Sequence, residues 1–393
     1  MTPEEFSDYG RELVLAGASA VGGCCGSTPK HIEMLSHKVR NLEAELDDED
    51  FASARGVLAS ESRVCELDIN GRFLVVGERI NPTGKKKLQE ELRSGKLDIV
   101  TEMAESQTEH GADILDINMG TNGIDELEMM KKAIYSVVSV TDLPLCIDSS
   151  HIDVIEAALR IYPGRALINS ISYETKKCRP LMKIAAKYGA MCILLPLSDK
   201  GLPENLDEKK EIIHKLLEIA DEEGVSRDNI VIDGLVSTVG ANKNAAVETL
   251  ETIAYCKKEL HLPTVCGLSN ISFGLPERIN INTTFLTMAI AKGLTMAICN
   301  PEQAQLMNAA LASDLLIAKT ESDNRYVENV VALTNVSAET DKKKANKLEG
   351  NKVYIDVVKG NKDIIIDDVK AELASGREPK DIIDNDLIPA VNK

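Results

Sequence analysis

Carboxylates and amides recur in this chain at one kind of place, the end of a short apolar run. Glu78, Arg79 and Asn81 close the run 73–81 (FLVVGERIN), Asp116 and Asn118 close 113–119 (DILDINM), and Asp148 stands in 144–150 (PLCIDSS). Asn169 and Ser170 follow in 166–171 (ALINSI), Asp233 in 230–236 (IVIDGLV), Ser269 and Asn270 in 264–270 (TVCGLSN), and Asn300 in 295–300 (TMAICN). The run 191–196 (MCILLP) alone ends without such a group. Buried carboxylates and amides are costly unless paired. Capping of a following helix accounts for single positions, such as Asp148, Ser149 and Ser150 ahead of HIDVIEAALR, but not for a whole set of run ends. An ionised Asp accepts two parallel N–H bonds from an amino-pyrimidine edge, and an Asn donates and accepts on the same ring. The set therefore suits a planar heterocycle carrying N–H donors and ring acceptors. A pterin meets that demand, although composition does not single it out. No histidine nucleophile accompanies the set: His110, His214 and His261 fall on or beside helical segments, and His151 just past the third run is the one histidine close by.

These groups need elements that bring them together. Between the apolar runs lie segments of helical periodicity, such as IDVIEAALRIY (152–162) and EKKEIIHKLLEIADEEG (208–224), and a last one, PEQAQLMNAALASDLLIAK (301–319), follows the eighth run. Continuous apolar strands alternating with helices predict a parallel sheet covered on its outer side. Eight such units in a stretch of this size predict a (β/α)8 TIM barrel, whose strand ends converge on one mouth where active sites are found. An open, doubly wound sheet is the alternative, because periodicity does not show closure.

The flanks read differently. Residues 1–45 read as helix (PEEFSDYGRELVLAG), strand (ASAVGG), CCGSTP and helix (PKHIEMLSHKVRNLEAEL), the end of another β/α domain. Residues 46–65 read as a linker, 66–330 as the barrel, 331–350 as a polar linker containing DKKK, and 351–393 as short amphipathic helices cut mid-domain. An orphan piece at 1–45 is expected to pack on the barrel or to promote self-association, because exposed apolar patches seek partners.

At 393 residues, with 44% hydrophobic and 27% charged, the composition is that of a globular protein with a large core built from aliphatics, since aromatics make up 3%. A formal charge of −18 argues against nucleic acid. No run reaches the roughly 18–20 apolar residues of a membrane helix, and the N-terminus lacks a secretory layout, so a cytoplasmic location is expected. Cys146, Cys192, Cys266 and Cys299 read as buried filler, whereas Cys24 and Cys25 stand apart as vicinal thiols.

The motifs VVGERINPTG, DINMG, CIDSS, INSIS, IDGL and GLSNISFGLPERININTTFL occur in an order and spacing that resemble the methyltetrahydrofolate-binding, pterin-binding barrel of the cobalamin-dependent methionine synthases. The resemblance runs from about residue 66 to 330. GASAVGGCCGSTPKHIEML resembles the end of that family's homocysteine-binding barrel, and the tail resembles the start of the helical cap before its cobalamin domain. The resemblance implies that Asp148, Asn169 and Asp233 hold the pterin edge, with Glu78, Asn118 and Ser269 supporting the pocket. It implies that Asn270 bonds near N5, the nitrogen carrying the methyl group, that Asn270 and Asp148 serve catalysis, and that Arg278 lies at the rim. Asp116 belongs to the same motifs without an assigned contact. The implied partners are 5-methyltetrahydrofolate as substrate and cobalamin on another domain. Cys24 and Cys25 match two zinc thiolates of the family, but the third ligand lies outside this sequence, so zinc is not expected here.

Two alternatives stand beside this reading: a free-standing methyltetrahydrofolate:corrinoid protein methyltransferase, and a folate-binding module without turnover. A dihydropteroate synthase is disfavoured because no basic cluster suited to a diphosphate stands at the strand ends.

Overall fold

The computed structural model describes residues 1–42, 56–329, 351–358 and 362–391. Its centre is a closed barrel of eight parallel strands, β3 (Leu74–Ile80), β4 (Ile114–Asn118), β5 (Leu145–Asp148), β6 (Leu167–Tyr173), β7 (Met191–Ser198), β8 (Ile230–Asp233), β9 (Thr264–Gly267) and β10 (Met296–Cys299), in which β10 pairs with β3. The expected barrel, rather than the open sheet, is what forms. Helices follow the strands and cover the outside, among them Glu126–Val138, Ile152–Ile161, Leu206–Glu222, Ala245–Tyr255 and Arg278–Lys292.

The period of two along each strand sorts the apolar runs into an outer and an inner face. Val75, Leu115, Ile117, Ile147, Ile168 and Ile232 pack outward among the helices. Leu74, Val76, Ile114, Cys146, Leu167, Val231, Val265 and Met296 form a separate cluster that fills the barrel. The next inward positions toward the carboxyl ends are Glu78, Asp116, Asn118, Asp148, Asn169 and Asp233. The barrel interior is thus apolar below and polar above.

The segment 46–65, expected as a linker, carries a β-hairpin in its described part: β1 (Val57–Ala59) pairs antiparallel with β2 (Val64–Glu66). Leu58, Cys65 and Leu67 from this hairpin and its exit belong to the cluster inside the barrel, so the hairpin stoppers the apolar end. Leu58 is fully buried. Leu58→Ala is expected to cost about 2–5 kcal/mol through the cavity it opens, with the polar mouth untouched. Denaturant unfolding checks this, and a change below about 1 kcal/mol would mean that the hairpin is not part of the core.

The N-terminal piece differs from expectation. Helices Pro3–Leu15 and Pro29–Val39 pack on each other, but ASAVGG at 18–23 is not a strand. A lone strand has backbone groups to satisfy, and the described residues offer this one no neighbour to pair with. The two helices leave Tyr9, Leu13 and Ile32 exposed. The expected linker 331–350 lies outside the described residues. Three helical segments close the chain at Lys352–Val358, Lys362–Ala374 and 379–391. No helix among the described residues is long and apolar enough to cross a membrane.

Candidate functional site

The ladder of the barrel sets the site's frame. Asn118 stands level with Asp148, and Asp148 level with Asn169, across β4, β5 and β6. Level residues on neighbouring strands share a face, so three expected site residues meet in one row. One amide–carboxylate bond lies within the row, Asn118 Nδ2 donating to Asp148 Oδ2 at 2.9 Å, and a second ties the row to Asp116 two residues below Asn118, Asn169 Nδ2 donating to Asp116 Oδ1 at 3.0 Å. Gly120 N–H donates to Asn118 Oδ1 at 2.8 Å, which fixes the orientation of that amide.

Burial dominates the electrostatics of this row. Desolvation raises Asp116, and the Asp148 charge adds to the shift, while the Asn169 bond opposes it. Asp148 is likewise raised by burial, with Glu126 contributing and the Asn118 bond opposing. Asp233 is pushed up to about 6 by burial, against a 2.7 Å bond from Leu235 N–H and the charge of Lys209. Glu78 is raised by burial as well, and its Oε1 accepts from Ser269 Oγ at 3.3 Å.

Glu78 owes its position to an irregularity. The register of β3 against β4 shifts between Gly77 and Ile80, and the Arg79 N–H goes to Gln107 Oε1 at 2.9 Å instead. A side chain at Gly77 would bring its Cβ within 2.5 Å of that oxygen, so only glycine lets Gln107 reach the bulge.

Ser269 and Asn270 lie just past β9, in the tight turn Leu268–Ser272. Arg278 braces this turn: Nη2 donates to Ser269 O at 2.5 Å and Nε to Ser272 Oγ at 3.0 Å. The Asn270 amide is exposed and has no hydrogen-bond partner among the described residues. Gly267 leaves room for it, since a Cβ there would stand 3.2 Å from Asn270 Nδ2.

Beside the row a cavity of about 720 Å³ opens between the loops after β3, β4 and β5, lined by Thr83, Gly120, Glu126, Ser150, His151 and Asp153 among others. Glu126 is a residue that sequence reasoning missed. It accepts from Ser149 Oγ at 2.5 Å and stands 3.2 Å from His151 Nδ1, so His151 faces a carboxylate at the start of helix Glu126–Val138. Lys209 was missed too, although one signal was available: it falls on the buried stripe of its helix with Ile212, Ile213 and Leu216. Cys24 and Cys25 are exposed free thiols. No group of three or more His, Cys, Asp or Glu forms a metal site among the described residues, and two thiolates do not complete a tetrahedral zinc shell.

The raised Asp116 carries a stability consequence. A carboxyl whose folded pKa lies above its unfolded one favours the folded state at low pH, and that advantage is lost as pH rises through the folded value. Asp116→Asn keeps an acceptor for Asn169 and removes the charge. Wild type is therefore expected to lose thermal stability from pH 5 to 8 more steeply than the variant, which is the more stable at pH 8. Melting curves that run parallel across that range would contradict this.

Comparison with known proteins places the frame. The family described as pterin binding enzyme matches residues 77–300. The chain belongs to the pterin-binding enzyme family. Residues 1–39 match the homocysteine S-methyltransferase family. The pterin-binding chain is 30% identical over 346 residues to methionine synthase of Mycobacterium tuberculosis, a match covering 83% of this chain and 29% of that protein. It is 31% identical over 314 residues to methionine synthase of Mycobacterium leprae, covering 74% and 26%. It thus spans under a third of these relatives' length. Among solved structures, 7,8-dihydropteroate synthase from Vibrio fischeri shares the fold at a TM-score of 0.52 and 19% identity, over 67% of this chain and 99% of that one. Yersinia pestis DHPS with a pterine-sulfa conjugate does so at 0.51 and 16%, with the same coverage. At these identities the likeness speaks of the pterin-binding barrel's fold.

Proposed function

We propose that the barrel binds 5-methyltetrahydrofolate at its mouth and activates the N5-methyl group for transfer to a reduced corrinoid carried by another domain. The observation that carries the reading is the level row of Asn118, Asp148 and Asn169, with Asp233 alongside, in a chain whose relatives are methionine synthases.

Asp148 and Asp233, when ionised, accept N–H bonds from the amino-pyrimidine edge of the pterin, and Asn169 completes the ring contacts. Asn118 orients Asp148, while Glu78 and Ser269 wall the pocket. Arg278 acts through the turn it braces, holding Ser269 and Asn270 at the rim. A methyl group on a tertiary amine leaves poorly because the departing group is an amide-like anion. A proton passed to N5 from solvent as the bond breaks lets it depart as a neutral amine, and hydrogen-bond stabilisation that grows in the transition state accelerates the step. The Asn270 amide supplies that bond but no proton. The corrinoid supplies the nucleophile when its domain docks.

The two-helix piece at 1–42 and the helices from 352 fit parts of neighbouring domains, so we keep the division 1–45, 66–330 and 351–393, with the hairpin at 57–66 assigned to the barrel it plugs rather than to a linker. The chain alone is not expected to make methionine. A diphosphate-handling synthase fits less well, because the cations at the mouth are engaged. Lys85 Nζ donates to the Arg79 and Asn81 carbonyls, Arg79 faces Glu302 at 3.6 Å, and Arg278 is bound to its turn.

Calorimetric titration with methyltetrahydrofolate tests the reading. One site per chain is expected, and no heat of binding across pH 6–8 would overturn it.

A further inference from the structure

Behind the Asp233 end of the mouth lies a charge that the proposed binding leaves unexplained. Lys209, in helix Leu206–Glu222, is 4% exposed and sits on the same stripe as Ile212, Ile213, Leu216 and Leu217. A leucine there would pack without burying an ammonium, which is costly unless its charge is compensated. Among the described residues Lys209 Nζ makes one hydrogen bond, to the Gly234 carbonyl at 3.2 Å.

That carbonyl belongs to the bend that aims Asp233. Gly234 N–H donates to Val265 O at 2.8 Å, and Leu235 N–H donates to Asp233 Oδ1 at 2.7 Å. Leu235 adopts φ +51°, a left-handed conformation unfavourable for a branched residue. The bend is therefore held from outside as well as by its own bonds.

We propose that Lys209 is a positioning residue for Asp233: its buried ammonium anchors the bend at Gly234 and keeps the Asp233 carboxylate charged for the N–H donors of the pterin edge. The inference rests on the proposed folate site. The other titratable groups near this pair are Glu248 on helix Ala245–Tyr255, Cys256 after it and Cys266 on β9. Burial keeps both thiols neutral, with Cys256 pushed up to about 12 and Cys266 well above its usual range. Burial lowers the Lys209 pKa while the Glu248 and Asp233 charges hold it up, and its ammonium in turn joins the Leu235 N–H in opposing the burial of Asp233.

The test uses the full chain with Lys209→Met, which keeps the unbranched stem, and Lys209→Gln, which keeps a donor for Gly234 without the charge. The Asp233 carboxyl is titrated by carbon NMR without ligand, its signal assigned through Asp233→Asn. Its midpoint is expected to rise by about one unit in both variants. Methyltetrahydrofolate affinity then falls about fivefold at pH 6 and less than twofold at pH 8, because only the ionised form binds. A merely structural lysine would lower the melting temperature and leave the midpoint where it is. An unmoved midpoint in a folded variant overturns the proposal. If wild type binds no folate, the folate site falls, while the ligand-free titration still decides the role of Lys209.

Discussion

Asp148→Ala is expected to abolish measurable binding of methyltetrahydrofolate. Asp148 is the centre of the level row, with Asn118 donating to one carboxylate oxygen, and the proposed pterin edge depends on the charge that remains. Truncating one partner of a buried, charge-assisted contact costs roughly 2–5 kcal/mol or more, which is a loss of about thirtyfold at least. The protein itself loses little. Burial raises the Asp148 pKa, so the ionised side chain is a burden on the fold at neutral pH. The variant should melt no lower than wild type at pH 8 while failing to bind in calorimetry. Binding within a few-fold of wild type would remove Asp148 from the site and with it the assignment of Asn169 and Asp233.

Asn270→Ala is expected to separate binding from chemistry. The Asn270 amide projects from a turn fastened by Arg278 and has no partner within the described protein, so its removal leaves the fold intact. If it bonds N5 as the methyl group departs, its contribution is greatest in the transition state. Loss of one such preorganised donor costs about 10²–10³-fold in rate. Methyltetrahydrofolate affinity is expected to change by only a few-fold. Rapid-mixing measurement of methyl transfer to free cob(I)alamin reads both quantities. A rate within threefold of wild type would leave the N5 contact to another group, and a large loss of affinity would place Asn270 in ground-state binding.

The barrel was legible because its pattern is local and repeated. Each apolar run is short, each is followed by a helical period, and the two alternate eight times. The polar mouth was legible for the same reason, since Asp116, Asn118, Asp148 and Asp233 interrupt runs that would otherwise be uniform. Pairings across the barrel were not. The bond from Asn169 to Asp116 spans 53 positions, and nothing local in either segment marks one as the other's partner. The hairpin at 57–66 was hidden because its strands have three residues each, too few for a period to show. The strand expected at 18–23 failed for the converse reason: its pattern is local, but a strand is completed only by a neighbour. Lys209 was masked by its abundance class, because a lysine in a charged helix reads as solvent-facing until its place on the stripe of Ile212, Ile213 and Leu216 is counted.

The whole-chain activity of the relatives draws on more chain than is present here, since this one spans under a third of their length. The part proposed for the barrel is testable on this chain alone. Photoreduced cobalamin and methyltetrahydrofolate, mixed with the intact chain in the absence of oxygen, report methyl transfer through the cobalt spectrum. Conversion of the cob(I)alamin bands to those of methylcobalamin, dependent on the protein and lost in Asp148→Ala, is the predicted result. Folate binding by calorimetry with an unchanged cobalt spectrum would contradict it and leave the barrel a binding module.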